Sequence, residues 1–254
     1  MKSRIIYSVG IILALLMGAC QEDDRRLLWA DEFDGTALDT ANWNFKLGDG
    51  CPDLCGWGNN EPQIYTTSNH SVSNGSLKIT GRLQDSVYTS TRITTQGKFA
   101  FQYGYIEARI KLPEGKGLWP AFWMLGSDIT EVGWPACGEI DIMEWIGRDA
   151  DSLFTSLHTP ASYGNTINTK KTKLETPSAW HSYGCDWRED QIVFYRDNKE
   201  VYRFDPAQKT EDNYPFQKPF YIILNMAIGG NFGGAIDDSI FPQTYEIDYV
   251  RVYE

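Results

Sequence analysis

Sustained helical periodicity is missing from this 254-residue sequence, as are low-complexity stretches, internal repeats and any linker beyond the short "QEDDRR" segment. Helical bundles, solenoids and strings of tethered domains are therefore excluded. Positive charge is scarce: 23 Lys and Arg stand against 34 Asp and Glu, a net charge of −11. Such a chain repels nucleic acid and anionic membrane surfaces, and it has no basic run to hold a polyanion. A neutral ligand fits better. Histidine is nearly absent, and His70, His158 and His181 show no metal-ligand spacing, which argues against a catalytic transition metal. The apolar run from Ile5 to Met17 is too short to span a bilayer as a stable helix.

That run follows Lys2 and Arg4 and precedes Gly18-Ala19-Cys20. A charged start, a short apolar middle and a small-residue end mark residues 1–19 as an export signal. "LMGAC" resembles a bacterial lipobox, which implies that Cys20 becomes the lipidated first residue of the mature chain. Residues 20–26 are then a short tether, and the membrane is met only through this anchor. The acidic "QEDD" is similar to the export tag of surface lipoproteins in Bacteroidetes, so the expected location is the outer membrane, at the cell surface. Loss of Lys2 and Arg4 takes the net charge to −13. Four cysteines remain, Cys51, Cys55, Cys137 and Cys185. Export favours disulfides, and "CPDLC" can close a small loop. Cys137 and Cys185 read equally as a second pair or as two buried thiols.

Strand signals fill residues 27–254. "GYIEARIKL" alternates Ile106, Ala108 and Ile110 with Tyr105, Glu107, Arg109 and Lys111, the mark of a half-buried strand. "QIVFYRDNKEVYRF" reads as two strands turning at Asp197-Asn198, and "SLKITGR", "FYIILNMAIGG" and "YEIDYVRVYE" are further β runs. Many short strands separated by Gly, Asn, Asp and Pro predict a single all-β domain, a sandwich or jelly roll. Aromatic residues make up 14%, with nine tryptophans. Trp57, Trp119, Trp123 and Trp134 sit beside or near glycine or proline, where flat apolar faces can meet a ligand or fill a core.

"CGEIDIMEWIG" sets a geometric problem. In a regular strand Glu139 and Asp141 share a face and Glu144 points away. In a helix Glu139 and Glu144 diverge by about 140°. A β-bulge near Ile142-Met143 adds one residue and returns Glu144 to the face of the other two. The glutamates then lie four strand positions apart, roughly 13 Å between Cα atoms. Side chains leaning together leave a carboxylate gap on the order of 5 Å, the separation a retaining glycosidase uses. One glutamate must stay ionised and the other hold a proton near neutral pH. Asp141 between them can couple their charges. The bulge also predicts that Ile140, Ile142 or Met143 packs behind the strand. The competing reading of the three acids is a calcium site.

These residues resemble glycoside hydrolase family 16, in the bulged E-x-D-x-x-E form of its laminarinases and their relatives; dedicated lichenases usually carry a shorter E-x-D-x-E. "LLWADEFDGTALDTANWNF", "GWGNNEPQIYT", "YGYIEARIKLPEGKGLWPAFWML", "NMAIGGNFGG" and "IDYVRVYE" are similar to family segments in the expected order. The resemblance implies a jelly-roll β-sandwich of two antiparallel sheets with a concave sugar cleft. It implies retaining endo hydrolysis of β-1,3-glucan, mixed-linkage β-1,3/1,4-glucan, or both, by a monomer that needs no catalytic cofactor. By motif, Glu139 is the nucleophile, Glu144 the acid/base and Asp141 their assistant. Trp119, Trp123 and Trp134 match positions lining the cleft on its non-reducing side. Asn60 and Arg92 match sugar contacts, and His158 matches a histidine near the carboxylates. Many relatives hold a structural calcium on the convex side, and the matching positions are Glu32, Gly75 and Asp248. The cysteine pair in "CPDLCGWGNNEPQIY", with Pro62 and Ile64, departs from the usual pattern in a loop expected to border the cleft. The alternatives are a non-catalytic surface glycan-binding protein on the same fold and a relative acting on a red-algal galactan.

Overall fold

The computed structural model describes residues 25–254; the export signal and Cys20 lie outside that range. Two sheets face each other. One has ten strands, the other seven, and every pairing is antiparallel except the short parallel one between Ile64–Tyr65 and Val87–Ser90. The smaller sheet runs in the order Thr169–Lys173, Ser152–His158, Glu139–Trp145, Leu118–Gly126, Phe220–Ile228, Arg92–Thr94, Asn44–Lys46. In the larger sheet Gly104–Lys111 and Gln243–Tyr253 lie side by side at the centre. This is the expected all-β jelly roll.

Local sequence explains each strand. In Gly104–Lys111, Ile106, Ala108 and Ile110 are buried while Glu107, Arg109 and Lys111 are half-exposed, as the alternation requires; Tyr105, expected on the outer face, is buried as well, with the Arg25 guanidinium 3.5 Å from its ring centroid. The hairpin Ile192–Arg196 to Lys199–Phe204 turns at Asp197-Asn198, both with positive φ (51° and 61°), the twist a tight hairpin demands. Between the sheets, Ile79, Ile106, Ile110 and Ile247 meet Phe122, Met124, Ile140, Ile222 and Leu224 in one core, all fully buried. Deleting a buried ring such as Phe122 costs about 3–5 kcal/mol.

Alternation gives way in the middle of the smaller sheet. All nine residues of Phe220–Ile228 are buried. Ile222, Leu224, Met226 and Ile228 face the core, while Tyr221 and Ile223 join Leu125 and Cys137 in a second apolar cluster. A near-continuous apolar run is what a strand covered on both sides requires.

Candidate active site

Register decides where the three acids point. Against the neighbour Leu118–Gly126, Glu139 pairs with Leu125, Asp141 with Trp123 and Glu144 with Ala121. Against Ser152–His158 they pair with His158, Ser156 and Phe154. Both neighbours advance in steps of two, while the acid strand advances by two and then three. The irregularity falls between Asp141 and Glu144 on one side and between Asp141 and Met143 on the other. The extra residue is thus the expected bulge at Ile142-Met143, and all three acids face the same way. Ile140, Ile142 and Met143 are all buried in the main core behind them.

Each glutamate has an indole donor. Trp134 Nε1 donates to Glu139 Oε2 at 2.9 Å, and Trp119 Nε1 donates to Glu144 Oε1 at 2.9 Å. The two tryptophans therefore reach opposite ends of the acid row. Trp123 lies across from Asp141 and donates to Asn225 Oδ1 at 2.7 Å. His158 Nε2 stands 3.2 Å from Asp141 Oδ2 and 3.6 Å from Glu139 Oε1. Its Nδ1 accepts the Gly164 amide at 3.0 Å.

The electrostatics follow from burial. Glu139 and Glu144 are each pushed up to about 8, first by burial and then by the nearby Asp141 carboxylate. Lesser influences separate them. Arg92 draws Glu139 back down, whereas Glu139 itself pushes Glu144 up. Burial pulls His158 down, but Asp141, Glu139 and Glu144 outweigh it and lift the ring to about 9. The Gly164 amide points the other way, because a nitrogen that accepts an N–H must keep its lone pair. That contact favours a lone pair on Nδ1 and leaves Nε2 as the ring nitrogen nearest Asp141 and Glu139.

Among the described residues, Glu139, Asp141 and His158 form the one cluster with metal-ligand proximity, their ligating atoms within 4.8 Å of one another. The imidazole among these donors departs from the all-oxygen set that calcium takes.

The remaining expected residues are placed as follows. Arg92 pairs in register with Asn225, on the acid-bearing face, and lies between the rings of Trp57 (4.6 Å) and Trp123 (4.8 Å). Asn60 is exposed and donates to Asn231 Oδ1 at 2.8 Å, in the Gly230–Gly233 turn. Glu32 is gripped by Arg251 through two contacts of 2.8 Å, and Asp248 by Arg109 at 2.7 Å. Gly75 sits at φ 70° in the turn before Leu77–Gln84. Cys51 and Cys55 are disulfide-bonded; Cys137 and Cys185 are separate buried thiols.

Several side chains at the site carry no sequence signal of their own. Phe232 packs edge-on against Trp119 and Phe154. Tyr163 packs edge-on against Trp134. Tyr65, Asn225 and Glu61 form a buried chain of hydrogen bonds beneath the cleft. The glycine-rich "GGNFGG" was a signal for a close approach, but not for which ring it would deliver.

A sheet face carrying two buried carboxyl groups, each steered by an indole and flanked by exposed aromatic rings, is the apparatus of a glycoside hydrolase. The chain belongs to glycosyl hydrolases family 16, whose family model matches residues 58–251. Members of this family need no cofactor for catalysis. It is similar to a laminarinase from Flavobacterium sp. UMI-01, with 60% identity and a TM-score of 0.89, covering 90% of this chain and 100% of that one. A beta-glucanase of Rhodothermus marinus is 35% identical over all of this chain and 95% of its own length. A glucan endo-1,3-beta-glucosidase A1 of Niallia circulans is 38% identical over 90% of this chain, which spans only 38% of that relative's length.

Proposed function

We propose that the chain is a retaining endo-β-glucanase acting on β-1,3-glucan, mixed-linkage β-1,3/1,4-glucan, or both. The observation that carries this reading is the bulge that brings Glu139, Asp141 and Glu144 into one row under two indole donors. Glu139 attacks the anomeric carbon while Glu144 gives its proton to the departing glycosidic oxygen. The glycosyl–Glu139 ester then yields to water, from which Glu144 takes a proton back. Burial of Glu144 keeps it protonated at neutral pH; Glu139 is raised by burial and by Asp141 as well, and His158, the Trp134 indole and Arg92 draw it back toward the ionised form. Asp141 lies between them and raises both, so that one proton is shared across the row. Trp119, Trp123 and Trp134 supply ring faces on the non-reducing side, with Asn60 and Arg92 as hydroxyl contacts and His158 holding Asp141.

Product analysis on laminarin and barley β-glucan tests the reading and identifies the linkage cleaved. Absence of new reducing ends from both, with oligosaccharide binding intact, overturns it in favour of a glycan-binding protein. Roles separate with azide. Glu144→Ala should lose activity on unactivated glucans by at least roughly 10³-fold and regain turnover as a β-glycosyl azide. Glu139→Ala, lacking the nucleophile, should yield the α-azide from an activated glycoside. Exchange of these two stereochemical outcomes would reverse the assignment.

Residues 27–254 are proposed as the catalytic domain, acting as a monomer, carried by an outer-membrane lipoprotein anchored at Cys20 on the cell surface. Metabolic lipid labelling abolished by Cys20→Ala, with protease access on whole cells, tests that location. A structural calcium is proposed where Leu27–Asp31 and Leu77–Gln84 leave a gap along Gln243–Tyr253. Asp248 occupies a bulge there, with Glu32 and Gly75 at the flanking strand ends. The Gly75 carbonyl and the two carboxylates are hard oxygen donors of the kind calcium takes. Arg251 and Arg109, which now satisfy those carboxylates, would have to swing aside. Melting in calcium against chelator should differ by several degrees, and equal melting removes the ion from the account.

A further inference from the structure

The loop from Asp49 to Glu61 is tied more tightly than its exposure requires. Its neck is closed by two backbone hydrogen bonds of 2.9 Å between Gly48 and Tyr65. Inside, Leu54 donates to the Gly50 carbonyl at 2.7 Å, Gly56 to Asp49 at 2.8 Å and Glu61 to Gly56 at 3.0 Å. A Cβ on Gly50 would stand 2.1 Å from the Leu54 carbonyl oxygen, so only glycine permits the turn. The Cys51–Cys55 disulfide closes the exposed tip. This wrapping leaves Trp57 at φ 52°, a left-handed conformation a bulky residue adopts only when its surroundings impose it.

The imposed conformation has a purpose in the cleft. The Trp57 indole donates to the Gly48 carbonyl at 3.3 Å, and its ring rests on Tyr65 at 5.3 Å. The Arg92 guanidinium lies over the Trp57 ring at 4.6 Å and over the Trp123 ring at 4.8 Å. Arg92 Nε is buried and has no hydrogen-bond partner among the described residues. From Trp123 a continuous chain of contacts returns to the loop: Asn225 accepts from Trp123 and donates to the Tyr65 hydroxyl at 3.1 Å, which donates to Glu61 at 3.2 Å. The Arg92 strand lies three strands from the acid strand, about 14 Å away between backbones.

We infer that the Cys51–Cys55 clip is a specificity-determining positioning element. It presets Trp57 against Arg92, which also meets Trp123, and so strengthens the grip on the distal sugars of long neutral β-glucan chains while contributing no group of its own to the chemical step. The inference rests on the proposed β-glucanase reading. It explains why a chain with an adequate core spends a disulfide on an exposed tip loop rather than between its sheets.

The test compares wild type with Cys51→Ser/Cys55→Ser and with wild type reduced by dithiothreitol at 25 °C. Cleavage of laminari-oligosaccharides of increasing length is followed by KM and kcat separately, and binding by calorimetry in a Glu139→Gln background. Losing a preset stacking plate should raise KM and Kd for hexasaccharide and laminarin roughly three- to tenfold. The trisaccharide values and kcat should stay within about twofold. Trp57→Ala should reproduce the effect and Trp57→Phe should largely restore binding. A penalty equal for short and long chains, or none, overturns the inference. The reduced wild-type protein keeps the test decisive should the double variant fail to fold. If wild type cleaves no glucan, the enzymatic reading fails separately, and the calorimetric comparison still decides the role of the clip.

Discussion

Two indole N–H groups face two carboxyl groups, and each pair governs one limb of the activity profile. A donor to a carboxylate favours the ionised form, so removing it raises that pKa. Trp134→Phe should therefore protonate Glu139 at higher pH and move the acid limb of kcat/KM upward by about half a unit to one unit. Trp119→Phe should hold the proton on Glu144 longer and move the basic limb upward by a similar amount. Rate profiles of the two variants check both signs, and a shift on the same limb in both would contradict the division of roles. The same groups also set stability. Burial holds the Glu144 proton, pushing that group up to about 8 when folded against 4.5 when unfolded, so the folded state binds it more tightly in between. Stability is fully present below the unfolded value and is lost as pH rises through the folded one. Glu144→Gln removes that slope. Its Tm should exceed that of wild type at pH 8 by about 2–6 °C and converge with it near pH 4.5. At this scale the acids and tryptophans were legible because they interrupt an apolar strand at defined spacing. Tyr163, Gly164 and Phe232 were not, because they enter from loops whose approach only the folded path determines.

The acid strand depends on its neighbours for meaning. Leu118–Gly126 and Ser152–His158 keep strict two-residue steps and serve as rulers against which the extra residue registers. Deleting Met143 would shorten the motif to E-x-D-x-E, which still sets all three acids on one face in an unbulged strand. That variant should lose stability, since a buried core side chain disappears, by about 2–5 kcal/mol. It should nevertheless retain measurable glucan cleavage, on the order of a hundredth of wild type or more, whereas Glu144→Ala should not. A folded deletion variant with no activity would show that the bulge does more than restore parity. The bulge was readable from the sequence because three acids at spacings of two and three admit few regular solutions. Strand order was not readable: nothing local says that Phe220–Ile228 lies beside Leu118–Gly126, since that pairing joins segments far apart in the chain.

Taken whole, the molecule is an acidic shell around an apolar double layer, with a net charge of −11 and its substrate face built from rings and hydroxyl-seeking groups. Binding of a neutral glycan should respond little to salt: KM on laminarin should change less than about twofold between 0.05 and 0.5 M NaCl. A steep salt dependence would point to an ionic substrate instead. The remaining thiols speak to the same compactness. In a chain beginning at Arg25, Cys137 and Cys185 should be unreactive to a disulfide reagent in the native state and both react on unfolding. Whether these two paired could not be read from the sequence, because that depends on which layer each enters: Cys185 lies in the main core and Cys137 in the apolar cluster beside Tyr221 and Ile223. Phe220–Ile228, buried along its whole length, ties those layers together. Its cleft-facing and core-facing residues share one backbone, so an altered residue on the sugar side shifts the packing on the other. Adaptation to a new glycan is thereby steered away from the floor of the cleft and toward its rim. The clipped loop at Cys51–Cys55 and the turns carrying Tyr163 and Phe232 can change shape there while the two sheets hold still.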